Sequence, residues 1–346
     1  MELDTIKLAR FLSPAHDIVL ICKAGSWIAQ RCKEIDPPFP VVTLSMASRT
    51  FSLSLLRGMR RELKQRNIRN VVFFGASELK TLYFAFLGHE VNLVVRHGTT
   101  KTRPKKDFFH RLIYSRVNWH VALSEHLLRN VRHIIPAGPH THFVKIMPSL
   151  PVVQDREAPR RAAVKPGPGI DILHVGRITA GKGQVDALEA CRGLCADQRE
   201  FSLTLLGKKE PGDYSRRLDT LLADFPCADR VHMPGHVDDV DAYLREADIF
   251  LFPSQGEGMP NAFIEALAQG CVCIAYANTV FPEFRELGFH VHLVPDQDVE
   301  ALTRCLARVV EDLDEEKQRC LANRERVATL FEPARELEQW NRILKA

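Results

Sequence analysis

Twelve short runs rich in Val, Ile, Leu and Phe, separated by stretches with helical spacing, constrain this chain more than any single residue does. Six lie at 18–22, 41–44, 70–75, 91–96, 120–124 and 145–147. A second six lie at 171–175, 202–206, 231–233, 249–253, 272–276 and 291–294. Strands that alternate with amphipathic helices form parallel sheets covered by helices on both faces. Between the two series, residues 148–169 are Pro-rich and charged and lack periodicity, which reads as an interdomain linker. The expectation is an α/β chain of two doubly wound domains facing a cleft. The first spans 1–150, a linker 151–169, and the second domain 170–330, with only helical patterning after 298. At 346 residues and 45% apolar content, two domains of roughly 150 residues are affordable.

Leu3, Ile6, Leu8 and Leu12 predict a helix almost at residue 1, where a doubly wound domain usually has a strand and a Gly-rich turn. That first strand and turn are expected to be missing. No run approaches the ~18 apolar residues of a membrane span, and the early acids of Met1-Glu-Leu-Asp-Thr-Ile-Lys7 do not suit a signal peptide. Nine cysteines, an odd number, argue against a disulfide framework. Cys191, Cys195, Cys271 and Cys273 lie in apolar segments without zinc-site spacing and are expected to be buried free thiols in a cytoplasmic protein. Charge is unevenly divided. Residues 1–150 hold 23 Lys and Arg against 10 Asp and Glu, a net of +13, whereas the remainder is net −9. The first half is therefore suited to an anionic partner. Its densest stretch is 101–111, with Lys101, Arg103, Lys105 and Lys106 beside Phe108 and Phe109. Such a stretch fits an anionic membrane surface or a phosphorylated acceptor, or a plain solvated loop. Nucleic acid is not an expected partner.

Two segments carry chemistry. In 254–270 an apolar run enters a Gly-rich turn, and Asn261 opens an amphipathic helix, with Glu257 in the turn and Glu265 eight positions on. A turn feeding a helix N-terminus presents free N–H groups and the positive end of the helix dipole, an arrangement that binds phosphate. Carboxylates cannot bind phosphate, so these two are expected to hold hydroxyls of whatever the phosphate carries, as in a sugar nucleotide. The other segment is Asp171-Ile-Leu-His-Val-Gly-Arg-Ile-Thr-Ala-Gly-Lys-Gly183. Gly176, Gly181 and Lys182 nearly spell a P-loop, but position 183 lacks the hydroxyl that would hold magnesium. With Arg177 added, the segment reads as a metal-free cationic clamp for a diphosphate. Asp239-Val-Asp241 spells a metal-binding D-x-D but stands at a short helix start, where Asp caps. No metal and no cofactor are expected.

Together these segments resemble the retaining glycosyltransferases of family 4, which have the GT-B fold of two Rossmann-like domains. Glu257 and Glu265 match that family's paired glutamates, and Gly176-Arg177 with Lys182-Gly183 matches its diphosphate-binding element. Val121-Ala-Leu-Ser124-Glu125 and Val231-His-Met-Pro-Gly235 are similar to the family's segment before the linker and its loop beside the nucleobase. The resemblance implies transfer from a nucleotide-diphosphate sugar, with Arg177 and Lys182 neutralising the departing diphosphate. Glu265 would bond the ribose and Glu257 would lie by the donor sugar. Gly258, Met259, Pro260, Asn261 and Ala262 would lie near sugar and phosphate, with Gly235 near the base. His97, just past a strand, would position donor or acceptor, with Arg96 and Thr99 as neighbours and Gly75-Ala-Ser77 lining the acceptor side. The implied acceptor is a glycan or lipid-linked glycan, as in lipopolysaccharide or surface polysaccharide synthesis at the inner face of the cytoplasmic membrane. The implied chemistry is front-face departure and attack, and a helix over 331–346 would cross back to the first domain. A nucleotide-sugar epimerase or hydrolase of the same fold, or a catalytically impaired partner protein, are the competing readings.

Overall fold

The computed structural model describes residues 2–46, 51–75, 78–150 and 169–345, so the expected linker core (151–168) and Ala76-Ser77 lie outside the described residues. The chain divides into two compact units. One comprises Met1–Ile146 with Leu337–Ala346, and the other Met147–Glu336.

In the first unit, α1 (Glu2–Leu12), β1 (Leu20–Lys23), α2 (Trp27–Ile35), β2 (Val41–Leu44) and α3 (Leu53–Gln65) come first. They are followed by β3 (Asn70–Phe74), α4 (Leu79–Phe86), β4 (Asn92–His97), α5 (Phe108–Tyr114), β5 (Trp119–Ala122), α6 (Glu125–Ile134) and β6 (His142–Lys145). β1 pairs with β2, and β3-β4-β5-β6 form a four-stranded sheet, all parallel. Helix α6 shows how sequence specifies such an element. Leu127, Leu128, Val131 and Ile134 fall on one face at spacings of three and four and are buried. Ser124 starts the helix by accepting the amide of Leu127 at 3.2 Å.

The second unit holds β7 (Ile170–Val175), α7 (Gln184–Ala196), β8 (Phe201–Leu206), α8 (Asp213–Ala223), β9 (Val231–Gly235) and α9 (Val240–Glu246). After these come β10 (Ile249–Phe252), α10 (Asn261–Gln269), β11 (Val272–Tyr276), α11 (Phe281–Glu286), β12 (His292–Val294), α12 (Val299–Glu311) and α13 (Leu313–Leu330). Its six strands form one parallel sheet in the order β12-β11-β10-β7-β8-β9. The order reverses beside β7, so the turns after β7 and β10 meet at a topological switch point, where open parallel sheets bind ligands. A core from Ile172 through Leu205, Ile249 and Leu306 fills one face. The α/β class with parallel sheets is as the alternating pattern predicts.

The last helix, α14 (Pro333–Leu344), places Trp340 and Ile343 in a cluster with Leu8, Leu12, Val94, Val121 and Ile146. The Ile343 carbonyl accepts a hydrogen bond from Asn92 Nδ2 at 2.7 Å. One expectation is corrected: Cys195 is not a free thiol but is disulfide-bonded to Cys227. The end of α7 and the turn after α8 bring their Cα atoms to 6.2 Å, a tertiary contact across 32 positions to which residue spacing is blind. Cys191, Cys271 and Cys273 are buried free thiols, as expected.

Candidate functional site

Strand β7 delivers Gly176 into a turn that closes at Gly183, the first cap of α7, whose φ is +82°. A Cβ on Gly183 would stand 2.1 Å from the carbonyl oxygen of Pro253. Two turns therefore touch backbone to backbone, and no Ser or Thr fits at 183. The missing P-loop hydroxyl is thus a packing requirement of this fold. Gln184 Nε2 donates to the carbonyls of Gly176 (3.3 Å) and Arg177 (3.0 Å). Buried His174 is 2.8 Å through Nε2 from the Lys182 carbonyl, and burial holds its pKa down to about 4. It is a neutral strut under the lysine.

Lys182 Nζ lies 2.6 Å from Glu257 Oε1, with their side chains 27% and 12% exposed. Ser254 Oγ lies 2.7 Å from the same carboxylate oxygen and 3.1 Å from the Gly181 carbonyl, and its single proton serves one at a time. The Gln255 amide donates to Gly181 O at 2.9 Å. The structure therefore brings Lys182 and Glu257 together as an ion pair at the ends of β7 and β10. Arg177 stands apart from that pair. It is 67% exposed, and its nearest carboxylate is Glu210, at 3.9 Å. Asn261 is the first residue of α10, and no side chain caps that helix. Gly258, Met259 and Pro260 are buried just before it, while Asn261, Ala262 and Glu265 are partly exposed on its first two turns. Gly235 ends β9 with φ +84° and open space where a Cβ would be.

Sequence reasoning missed the brace behind this turn. The hydroxyl of Thr279, after β11, accepts the Glu257 amide at 3.4 Å and donates to Asn278 Oδ1 at 3.0 Å. Asn278 Nδ2 in turn donates to the Ser254 carbonyl at 3.1 Å. Thr279 has φ +43°, a costly conformation for a β-branched residue, and such strain concentrates at functional turns. The available signal was two polar residues just past a strand's C-terminal end. Below lie Phe250, Phe252, Phe263, Phe281 and Phe284, with Phe263 centred 5.1 Å from Phe281 and 5.0 Å from Phe284. Each such pair contributes about 1 kcal/mol beyond its buried area and stiffens the base of the turn.

Asp239 caps α9 by accepting the Ala242 amide at 3.1 Å. Asp241 accepts from Gln269 Nε2 at 2.6 Å and from Arg245. Both acids of the D-x-D spelling are thus committed to helix packing.

In the first unit, His97 closes β4 and is 2% exposed. Lys101 Nζ donates to its Nδ1 at 3.3 Å, and its Nε2 is 2.9 Å from Nδ1 of buried His120. Burial, with Lys101 next, holds both imidazoles neutral, His120 at about 3. Because Nδ1 of His97 accepts, the hydrogen-bond pattern assigns its proton to Nε2. Burial and Lys105 bring Lys101 down to about 8, and burial and Lys80 lower Lys105. Asn130 holds the Lys101 backbone by both its amide (3.0 Å) and its carbonyl (2.9 Å). Among the described residues no carboxylate pairs with Lys80, Lys101 or Lys105. Arg96 is buried with its guanidinium over Phe74, Thr99 is exposed, and Arg103 and Lys106 point to solvent.

Residues 155–327, half of the chain, match the family model described as glycosyl transferases group 1. The chain belongs to that family. Over 155 residues it is 37% identical to the putative colanic acid biosynthesis glycosyltransferase WcaL of Salmonella typhimurium, covering 42% of this chain and 37% of WcaL. Over 168 residues it is 35% identical to the amylovoran biosynthesis glycosyltransferase AmsK of Erwinia amylovora, covering 46% and 40% respectively. These matched segments span about two-fifths of each relative's length. A glycosyltransferase from Rickettsia africae ESF-5 superposes with a TM-score of 0.84 at 18% identity, over 99% of this chain and 94% of that one. Anabaena Alr3699/HepE, solved with UDP, gives 0.80 at 16% identity, over 99% and 95%. At those identities the likeness shows the fold, which is GT-B.

Proposed function

We propose that this chain moves a sugar from a nucleotide-diphosphate sugar to a glycan or lipid-linked acceptor, with retention and without a metal ion, in the assembly of a surface polysaccharide or lipopolysaccharide. The observation that carries this reading is the Lys182–Glu257 ion pair beside the uncapped start of α10, at the switch point of the six-stranded sheet. A fixed cation, a carboxylate and free helix amides suit the phosphate and the hydroxyls of one ligand. Curated relatives named for colanic acid and amylovoran synthesis support the polysaccharide setting. HepE structures with UDP and with UDP-glucose make a uridine sugar nucleotide the first donor to try.

In this reading the bond from the sugar's anomeric carbon to the diphosphate breaks, and its electrons go to the departing phosphate oxygen. Lys182 releases part of its hold on Glu257 to meet that charge, with Arg177 as the second cation. Glu265 holds the ribose, Gly235 lies by the base, and the amides of Met259, Asn261 and Ala262 are offered to sugar and phosphate. The acceptor hydroxyl attacks the same face and passes its proton to the departing phosphate. One preorganised contact of this kind lowers the barrier by about 3 kcal/mol. His97, kept neutral, serves to position donor or acceptor.

An anionic acceptor fits the first unit, where Lys105 disfavours the charge on Lys101 and Lys80 that on Lys105, with no carboxylate paired to them among the described residues. Phe108 is 83% exposed beside exposed Phe109 and Leu112. With Lys106 and Arg111 around them, these rings suit shallow insertion at an anionic membrane surface. No helix among the described residues is long and apolar enough to cross a membrane. The test is turnover of uridine sugar nucleotides with and without lipid-linked acceptor and with and without chelator, with the product's anomeric configuration read by NMR. Acceptor-dependent, chelator-resistant transfer with retention is expected. Turnover without acceptor would indicate a hydrolase or epimerase, and a manganese requirement would remove the metal-free mechanism.

A further inference from the structure

Away from the donor turns, His290, His292 and Glu316 converge. His290 Nε2 lies 2.6 Å and His292 Nε2 2.7 Å from one and the same oxygen, Glu316 Oε2. Among the described residues this is the one group of three or more such side chains close enough to share a metal ion. We propose that it is a divalent transition-metal site, of the zinc class, that clamps the edge strand β12 to helix α13.

The local structure builds the site. His290 and His292 are two apart on an extended segment, so their side chains share a face, here the one toward α13. Asn323, two turns beyond Glu316 on the same helix, is buried and grips the His290 backbone at both its amide (2.9 Å) and its carbonyl (2.9 Å). The strand segment is therefore fixed against the helix before any ion arrives. Arg319 Nη1 donates to the other carboxylate oxygen at 2.9 Å, which orients Glu316 and leaves Oε2 facing the two imidazoles. Two imidazole nitrogens and one carboxylate oxygen suit zinc and its neighbours, with water completing four-coordination. The His290 side chain is 35% exposed, which gives an ion a way in.

In the metal-free form both Nε2 atoms carry protons and donate to Oε2. Binding requires each Nε2 to give up that proton, to the ring's own Nδ1 or to solvent. Ligands around a zinc ion at ~2.0–2.1 Å stand roughly 3.3 Å apart, so the three atoms must spread by about half an ångström. That is within reach of side-chain rotation. Arg319 and Arg308, which stand near the pair, oppose a dication and keep the affinity below that of a fully anionic site. The location is not catalytic. β12 is the sheet's outermost strand, two strands from β10, and His292 pairs with Ile274 in the middle of β11. The role is that of a staple.

The test is calorimetric titration of the untagged full chain with Zn²⁺, and with Co²⁺ followed by its visible absorption, alongside thermal unfolding with and without chelator. One equivalent should bind, with d–d bands of a low-coordinate N/O site, and the chain should melt higher with metal. His290→Ala, at a partly exposed position, and Glu316→Gln should each weaken binding by at least about tenfold and abolish the thermal shift. Absence of saturable one-to-one binding, or equal binding by both variants, would overturn the proposal.

Discussion

The two units solve opposite electrostatic problems. In the second, the cation at the switch point is balanced: Lys182 meets Glu257, and Ser254 and Thr279 hold the carboxylate's turn in place. In the first, Lys101 faces two neutral histidines and a neighbouring lysine, with no carboxylate among the described residues to offset it. A balanced pair is a finished, stable surface that a ligand must partly open. An unbalanced cluster is held at a cost by its fold and gains when an anion arrives. In the proposed reading the balanced pair serves the donor and the unbalanced cluster serves an anionic acceptor.

The largest expected break falls on the balanced side. Gly183→Ala places a methyl 2.1 Å from the Pro253 carbonyl in a backbone with φ +82°, and should destabilise the fold by about 3 kcal/mol or more, read as a lower urea midpoint. Lys182→Ala should leave the melting temperature within a few degrees but lower kcat by roughly 10²–10³ on the proposed donor. On the unbalanced side the signature is in pH. Lys101 titrates near 8 in the fold against 10.5 for an unhindered lysine. Between those values the unfolded chain binds more protons, so stability should rise as pH increases from 8 toward 10.5. Lys101→Met should remove that part of the slope, up to about 2 kcal/mol after solvent screening, which paired unfolding curves at pH 7.5 and 9.5 would measure. Ser254→Ala should be mildest, about 1 kcal/mol, because Lys182 still holds Glu257.

Most of the framework was legible because it rests on local rules. All twelve apolar runs overlap strands, α10 starts at Asn261 as read, and Asp239 caps α9 as its chemistry says it should. The turn 176–183 and the turn with Glu257 were readable because glycines and charges crowd there. What escaped is what long-range packing decides. Thr279 is one hydroxyl among many until β11 lies beside β10. His174 looks like a core residue until its bond to the Lys182 carbonyl is seen. The Cys195–Cys227 bridge and the His290, His292 and Glu316 group join positions 24–32 residues apart, where spacing alone carries no signal.

The most direct measurement is calorimetric binding of UDP and other nucleoside diphosphates to the wild type and to Lys182→Ala, each in chelator and in magnesium. The account predicts that one nucleoside diphosphate binds equally well in chelator and in magnesium, and that Lys182→Ala weakens it at least tenfold. Binding that requires magnesium, or that the substitution leaves unchanged, would contradict the claim that the Lys182–Glu257 turn holds the donor diphosphate.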